Sequence, residues 1–376
     1  MIYFDNAATT MIKPQQVYSE ILDVMLHKGG NPGRGGHLMA DRASDVIYKA
    51  RENLCELFNI NSPENICFTN NATTALNYGI KGVLKDNDHV IISAFEHNSV
   101  LRPVCALEDK GVTYTVLPLT PEGVFDNIEN YIRENTKLIV INHSSNVTGN
   151  IADIGEIGRI ARKHGIIFMV DASQSAGHID IDMERDNIDI LACAGHKGLF
   201  GPQGTGLLYV REGIKLSTLV EGGTGSMSES IYQPEYLPDR FESGTLNTPG
   251  IGGLSKGIEF VISKKERIRQ HEKKLTKMLV DGLSSLPFVT VYGNKNPEKM
   301  TAVVGFNIKD RDCVCVTNYL SDKYKIMLRG GLHCSVLAHK TLKTSDCGCV
   351  RASLSYFNTE NEVNKFLNII DRDFKM

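Results

Sequence analysis

The sequence lacks any strong bias of charge. Its 376 residues include 41 basic and 44 acidic side chains, which gives a formal net charge of -3 at pH 7. Proteins that bind nucleic acid usually carry a basic face or stripe. No such cluster stands out here, so the sequence predicts no nucleic-acid partner.

Long apolar runs are also absent. No stretch approaches the ~20 apolar residues that a membrane-spanning helix needs, and the opening MIYFDNAATT has no basic run followed by an apolar core. We therefore expect neither a membrane span nor a signal peptide. The nine cysteines are odd in number and scattered, which favours reduced thiols and a cytoplasmic location over a disulfide framework.

What the sequence does contain, between about residues 60 and 210, is an alternation of short apolar runs with segments of helical spacing. This alternation predicts an α/β fold with a mostly parallel sheet covered by helices. Ligands bind beyond the carboxyl ends of the strands in such sheets. The predicted strands are 66–69, 89–93, 137–142, 166–170 and 188–193.

The rest of the chain predicts a smaller α+β domain. A long, charged helical stretch at about 251–285 is expected to connect the two domains. We assign residues 14–255 to the large domain, and residues 1–13 with 256–376 to the small one. The small domain is predicted to contain strands near 288–292, 301–308 and 350–355 and helices near 312–324 and 359–374.

Two groups of polar residues after predicted strands suggest a bound phosphate and ring. Thr73 and Thr74 belong to a run of small polar residues before a helix expected to begin at Ala75, where backbone N–H groups can bind phosphate. A simple helix cap is the alternative. Asp171 can keep a ring nitrogen protonated while Gln174 donates to a ring oxygen, or Asp171 can merely cap the following turn.

Two further groups suggest covalent chemistry. Lys197 follows a buried strand and is flanked by glycines, so partial desolvation would lower its pKa and favour Schiff-base formation. The alternative is an ordinary glycine-rich turn. His97 follows the strand 89–93 and can stack on a planar cofactor or move protons near pH 7. A histidine with a purely structural role is the other interpretation.

Together these parts are the ones that an enzyme dependent on pyridoxal phosphate (PLP) supplies. The sequence resembles the fold-type I PLP-dependent transferases, and within them the class V aminotransferase group that includes cysteine desulfurases and selenocysteine lyases. The resemblance runs almost from end to end. It is carried by the motifs DNAATT (5–10), NHSSNVTG (142–149), VDASQS (170–175), GHK (195–197), RFESGT (240–245) and RASLSYFNT (351–359).

The resemblance implies a role for each matching residue. Lys197 would form the Schiff base, Asp171 would pair with the ring nitrogen, and Gln174 would contact the phenolic oxygen. His97 would stack on the ring. Asn146 would lie beside the cofactor and the substrate, and Thr245 of a second subunit would reach the phosphate, which implies a homodimer. The remaining phosphate contacts would come from Thr73, Thr74 and His196.

The segment 329–334 resembles the nucleophile segment of the desulfurases. Cys334 matches the nucleophile, although a small buried apolar role is common for a free cysteine. Arg351 matches the arginine that binds the substrate carboxylate, with Arg329 assisting. His333 and Arg329 are candidates to activate the thiol. The short path from Cys334 to Arg351 resembles the group II desulfurases, which often accept selenocysteine as well as cysteine.

Three departures from the family pattern stand out. Ala194 occupies a position where many relatives carry a hydroxyl that contacts the phosphate, so one contact is expected to be missing. Leu332 stands where relatives often have a second histidine. Cys347 and Cys349 are outside the pattern, and metal binding by these two with Cys334 is a possibility that we do not favour. Cys313 and Cys315 are interpreted as packing residues or bystanders.

The sequence thus predicts a PLP-dependent cysteine desulfurase that releases L-alanine and leaves sulfur on Cys334 as a persulfide. Selenocysteine is a second candidate substrate, and an acceptor protein would take the sulfur or selenium. One alternative is another class V reaction, such as amino transfer, epimerisation or C–S cleavage. Another is a non-catalytic sulfur carrier, which would have no need of Lys197 and Asp171.

Overall fold

The computed structural model describes residues 1–33 and 35–375. Within them the helices are α1 (Gln15–His27), α2 (Leu38–Phe58), α3 (Ala72–Val83), α4 (Asn98–Cys105), α5 (Ile154–Lys163), α6 (Thr248–Ser284), α7 (Cys313–Tyr324), α8 (Val336–Thr341) and α9 (Glu360–Phe374). The strands are β1 (Ile2–Tyr3), β2 (Ile66–Thr69), β3 (His89–Ser93), β4 (Thr113–Leu117), β5 (Thr136–Asn142), β6 (Ile167–Asp171), β7 (Ile190–Ala194), β8 (Gly206–Val210), β9 (Val289–Val291), β10 (Val303–Ile308), β11 (Ile326–Met327), β12 (Arg329–Gly331) and β13 (Cys349–Ser353).

A seven-stranded sheet forms the centre of the larger part of the molecule. Its strand order is β2-β8-β7-β6-β5-β3-β4. Strand β8 runs antiparallel to both of its neighbours, and the other adjacent pairs are parallel. Side chains on both faces are buried, as for Ile91 and Val140, because helices cover both sides. The predicted α/β fold is confirmed.

Helix α3 begins earlier than predicted. The sequence suggested a start at Ala75, but the helix starts at Ala72 because Asn71 caps it, its side chain accepting a hydrogen bond from the Thr74 N–H at 2.9 Å. Thr73 and Thr74 therefore lie within the first turn, where backbone N–H groups have no partner inside the helix.

A second, antiparallel sheet has the order β12-β13-β10-β9. Its core is separate from that of the large sheet, and Phe306 and Phe4 both pack edge-on against Phe366 of α9. Phe4 belongs to the start of the chain, where β1 pairs in parallel with β11. The first residues are thus held in the smaller half of the molecule.

Helix α6 spans both halves as one unbroken element. Its 37 residues correspond to about 55 Å at the usual rise of an α-helix. Near its start, Gly252 lies against Val24 of α1 and Val46 of α2, while near its end Gly282 lies against Leu367 of α9. The charged stretch that the sequence suggested as a connector is therefore a single continuous helix that contacts both parts of the molecule.

Candidate active site

A cavity opens at the carboxyl ends of the central parallel strands. These ends come together because β5, β6 and β7 are adjacent and parallel, with Asn142, Asp171 and Ala192 in register. The cavity is lined by Asn71, Ala72, Thr73, Leu76, His97, Ser99, Asn142, Asn146, Asp171, Ser173, Gln174, Ala194, His196 and Lys197.

Asp171 is the last residue of β6 and is buried. One of its carboxylate oxygens accepts a hydrogen bond from the Ser173 N–H at 2.9 Å. Within residues 1–33 and 35–375, no arginine, lysine or histidine forms an ion pair with it. A buried carboxylate is normally paired, so this cavity provides one half of an ion pair for a cationic ligand atom.

Lys197 lies in the turn after β7, and its carbonyl accepts a hydrogen bond from the Thr10 hydroxyl at 2.9 Å. Burial lowers the pKa of its amine to about 8, an effect that the negative charge of Asp171 opposes and the positive charges of Arg351 and Arg329 reinforce. A substantial fraction of the amine is therefore neutral and nucleophilic near neutral pH.

His97 is both a helix cap and a wall of the cavity. Its Nδ1 accepts a hydrogen bond from the Ser99 N–H at 3.1 Å, at the start of α4. The proton of the neutral ring is therefore on Nε2. Burial lowers the pKa of His97 to about 4, so the ring is uncharged at neutral pH. The structural and functional interpretations of this histidine are compatible.

Residues near the start of the chain hydrogen-bond to two of the predicted site residues. Gln174 donates from Nε2 to the carbonyl of Ala7 at 2.9 Å, and His196 Nδ1 lies 3.0 Å from the Thr9 hydroxyl. Burial lowers the pKa of His196 to about 4. These contacts orient both side chains at the cavity.

The predicted phosphate-binding residues do not all line the same cavity of this chain. Thr73 lines the cavity, and its hydroxyl lies 2.8 Å from that of Ser99. Thr74 and Thr245 instead line a neighbouring depression together with Asn70 and Ser243. Thr245 is therefore outside the Lys197 cavity of its own chain.

Asn146 connects the cavity to the segment that carries Cys334. Its Nδ2 donates to the carbonyl of His333 at 2.7 Å, and its Oδ1 accepts from the Ser335 hydroxyl at 2.7 Å. The carbonyl of Cys334 itself accepts from the Asn98 N–H at 2.7 Å. Since Asn98 follows His97, these three bonds place the backbone of Cys334 at the edge of the cavity.

The thiol of Cys334 is exposed, and its backbone has a φ of 58°, in the left-handed region that non-glycine residues rarely adopt. Arg329 Nη2 approaches its sulfur at 3.8 Å. The thiol is therefore open to solvent and has a guanidinium group beside it.

The ring of His333, the other residue predicted to assist the thiol, hydrogen-bonds to the main chain. The Nε2 of His333 donates to the carbonyl of Cys349 at 2.9 Å. Its Nδ1 has no hydrogen-bond partner in the described part of the chain. Burial lowers the pKa of His333 to about 3, so the ring is neutral. His333 and Cys334 both have positive φ, a backbone conformation that non-glycine residues rarely adopt.

Arg351 lies on β13 directly opposite Arg329 of β12 and is almost completely buried. It donates to Asp5 Oδ1 at 2.6 Å and to the carbonyl of Asn146 at 3.1 Å. Its Nε has no partner in the described ranges. Sequence reasoning assigned no role to Asp5, although it opens the DNAATT motif.

Glu96 is a second residue that sequence reasoning missed. It is buried beside His97, and its Oε1 accepts hydrogen bonds from the Ser93 hydroxyl at 2.5 Å and the Asn142 N–H at 2.8 Å. Burial raises the pKa of Glu96 to about 8, so the neutral acid is favoured at neutral pH. Its position directly before His97 was the available signal.

The possible metal site at Cys334, Cys347 and Cys349 is not formed. Cys334 and Cys347 are exposed, whereas Cys349 is buried on β13. In the part of the chain that the structure covers, no group of three or more histidine, cysteine or acidic side chains is arranged to hold a metal ion.

Among the described residues, no helix is both long and apolar enough to cross a bilayer.

The residues of the cavity fit PLP. Asp171 provides a buried carboxylate without a cationic partner for the ring nitrogen, and Lys197 provides an amine with a lowered pKa for the aldehyde. The neutral, uncharged ring of His97 can stack on a pyridine ring, and the first turn of α3 presents N–H groups suited to a phosphate.

Comparison with known proteins places this fold and site in one family. The family model for class-V aminotransferases matches residues 2–366. The chain therefore belongs to the class-V aminotransferase family, and the resemblance predicted from its motifs is confirmed.

Within that family the chain is similar to cysteine desulfurases. A probable cysteine desulfurase of Methanothermobacter thermautotrophicus is 35% identical over 371 residues, which cover 96% of this chain and 92% of the relative. A cysteine desulfurase of Escherichia coli is 31% identical, with 99% and 93% covered. The apo structure of the Thermococcus onnurineus cysteine desulfurase superposes with a TM-score of 0.94 at 34% identity, covering 100% of this chain and 94% of that one.

Proposed function

We propose that this protein is a PLP-dependent cysteine desulfurase that releases L-alanine from L-cysteine and takes the sulfur onto Cys334 as a persulfide. The observation that carries the proposal is the attachment of the Cys334 backbone to Asn98, next to His97, at the edge of the Lys197 cavity. An exposed thiol at that place can reach the sulfur of a substrate held below it.

Each residue of the proposed site has a distinct chemical role. PLP, when bound, supplies an electron sink for the substrate's α-carbon. Lys197 anchors the cofactor and then removes the α-proton, which its lowered pKa permits at neutral pH. Arg351 binds the substrate carboxylate, and Arg329 stabilises the thiolate of Cys334 through the contact at 3.8 Å.

The contacts around the cofactor follow from the same assignment. Asp171 would pair with the ring nitrogen, Gln174 with the phenolic oxygen, and His97 would stack on the ring. Asn146 would lie beside both cofactor and substrate. The phosphate would be bound by Thr73, Thr74 and His196, with Thr245 of a second chain completing the site.

A homodimer is supported by the surface of α1. Tyr18, Leu22, Met25 and Leu26 recur at helical spacing and are exposed, although apolar patches on soluble proteins are usually covered. Ile231 and Tyr232, which precede Thr245 in the sequence, are also exposed, at 88% and 79%. Sedimentation of the purified protein tests the dimer, and Thr245→Ala should weaken PLP binding if the second chain completes the site.

Each of the two parts of the molecule has its own hydrophobic core. We propose that residues 14–255 form one domain and residues 1–13 with 256–376 the other, which the separate hydrophobic cores support.

Nine free cysteines support a reducing, cytoplasmic environment. A sulfur- or selenium-acceptor protein would then receive the product from the exposed Cys334.

The decisive experiment measures alanine and sulfide from L-cysteine, with dithiothreitol as acceptor, for the wild type and for Cys334→Ser. We expect Cys334→Ser to lose sulfide release while it keeps bound PLP. Cys315→Ser is the matched control, because Cys315 is another exposed thiol and should be dispensable. Full activity of Cys334→Ser would overturn the assignment of the nucleophile. Assays with selenocysteine on the same proteins determine whether that substrate is also used.

A further inference from the structure

Two cysteines, Cys334 and Cys347, lie on the loop between β12 and β13, and a third, Cys313, contacts that loop. Gly331, at the end of β12, pairs with Cys349 at the start of β13. The segment 332–348 is therefore a loop whose two ends lie side by side in the smaller sheet. Cys334 lies near its beginning and Cys347 near its end. Both thiols are exposed.

Cys347 has a second thiol in contact with its main chain. Cys313, the first residue of α7, donates from its sulfur to the carbonyl of Cys347 at 3.1 Å. Cys313 is buried, whereas Cys347 is exposed. The pair thus combines an accessible thiol with a buried thiol that contacts its main chain, which suits an attacking and a resolving thiol.

The surroundings of Cys347 suit a sulfur that carries partial negative charge. Asn307 Nδ2 donates to the carbonyl of Gly348 at 2.9 Å and also approaches the Cys347 sulfur at 3.8 Å. Burial raises the pKa of the Cys349 thiol to about 12 and also raises that of Cys313, but the Cys313 sulfur contacts the main chain of Cys347. Cys347 and Cys313 are therefore the two thiols to consider.

We propose that Cys347 and Cys313 form a dithiol that accepts the sulfur of Cys334 and releases it as sulfide. This inference rests on the proposed function, because the Cys334 persulfide is its starting material. In the first step the Cys347 thiolate attacks the outer sulfur of that persulfide, which makes a persulfide on Cys347 and restores the Cys334 thiolate.

In the second step the Cys313 sulfur attacks the inner sulfur of the Cys347 persulfide. A Cys313–Cys347 disulfide forms, the sulfur–sulfur bond of the persulfide breaks, and hydrosulfide leaves with the proton of Cys313. The two thiols lose two electrons and the transferred sulfur gains them, so no outside oxidant is needed. An external thiol then reduces the disulfide by exchange.

The test is a single turnover without reductant. Reduced, PLP-loaded protein is freed of thiol and mixed with less L-cysteine than active sites, so that no free substrate thiol remains. Alanine, free sulfide and the peptide linked between Cys313 and Cys347 are then measured. We expect sulfide in near-equal amount to alanine, together with the linked peptide.

The variants distinguish this inference from the proposed function. Cys347→Ser, at an exposed position, should still form alanine but keep its sulfur on the protein until dithiothreitol is added, a loss of about tenfold or more in free sulfide. Cys313→Ala should do the same, and Cys315→Ser should behave as the wild type. A sulfide burst that survives in Cys347→Ser, or alanine formation by the wild type without any burst, would overturn the dithiol alone. If the wild type forms no alanine, the proposed function itself fails.

Discussion

The side chain of Asn146 accepts a 2.7 Å hydrogen bond from the hydroxyl of Ser335, the residue that follows Cys334. The same amide donates to the carbonyl of His333, which precedes Cys334. One side chain at the wall of the Lys197 cavity therefore fixes both neighbours of Cys334, the proposed nucleophile. The position of the thiol depends on this amide more than on any contact of its own side chain.

We expect Ser335→Ala to slow sulfur transfer by up to about tenfold, since a buried hydrogen bond contributes ~0.5–1.5 kcal/mol. PLP affinity should not change, because Ser335 does not line the cavity. Turnover of L-cysteine and titration of the apoprotein with PLP measure the two effects. Ser263→Ala, at an exposed serine of α6, is the control. Loss of PLP affinity in Ser335→Ala would contradict the assignment.

The lowered pKa of Lys197 predicts how cofactor attachment depends on pH. Only the neutral amine attacks an aldehyde, so the rate of covalent PLP attachment should rise about tenfold per pH unit below pH 8 and level off above it. The rate can be followed by borohydride trapping and mass spectrometry. Because the charge of Asp171 raises this pKa, Asp171→Asn should move the midpoint to lower pH. A rate that still rises steeply above pH 9 would refute the lowered pKa.

Asp5 should act as a positioning residue for Arg351. The two side chains are 2.6 Å apart and the guanidinium is buried, so Asp5→Asn removes a charged hydrogen bond of about 1.5–3 kcal/mol. We expect KM for L-cysteine to rise at least tenfold with a smaller change in kcat. Asp5→Glu should restore part of the loss, and Asp86→Asn, at an exposed aspartate, should have no effect. An unchanged KM would show that Arg351 is oriented without Asp5.

The buried pair of His178 and Glu272 should make stability depend on pH. His178 Nδ1 lies 2.7 Å from Glu272 on α6. Burial alone would lower the pKa of His178, but the charge and hydrogen bond of Glu272 outweigh it and raise the pKa. The stabilisation is therefore complete below the ordinary histidine pKa of about 6.5 and is lost as the pH rises through the raised value.

Urea unfolding of the wild type and Glu272→Gln at pH 6 and pH 9 tests this. The variant should be less stable by about 3 kcal/mol at pH 6, as expected for a broken buried pair, and the difference should shrink at pH 9. Equal differences at both pH values would indicate that His178 does not change its charge between pH 6 and pH 9.

Sequence reasoning predicted the parts of the fold that local patterns encode. The buried runs 66–69 and 89–93 are strands with those bounds, because branched residues in short apolar runs leave few other choices. Strand β8 was missed, since Gly206–Val210 follows a glycine-rich turn and looks like part of the same loop. Its antiparallel insertion between β2 and β7 depends on contacts distant in sequence.

The candidate site divides in the same way. Lys197, Asp171 and His97 each follow a recognisable strand, and they line one cavity as expected. The role of Asp5 and the orientation of His333 were not predictable from patterns. The first depends on a partner 346 residues away, and the second on a backbone with positive φ at two successive non-glycine residues.

The pairing of Asp5 with Arg351 also determines when the site can be completed during synthesis. Asp5 is synthesised 346 residues before Arg351, yet β1 pairs with β11, and Asp5 pairs with β13. The large sheet can form before β11 and β13, the partners of β1 and Asp5, have been synthesised. The contact between Asp5 and Arg351 is therefore formed late, by residues 346 positions apart, and a chain interrupted before β13 would contain Lys197 but not Arg351.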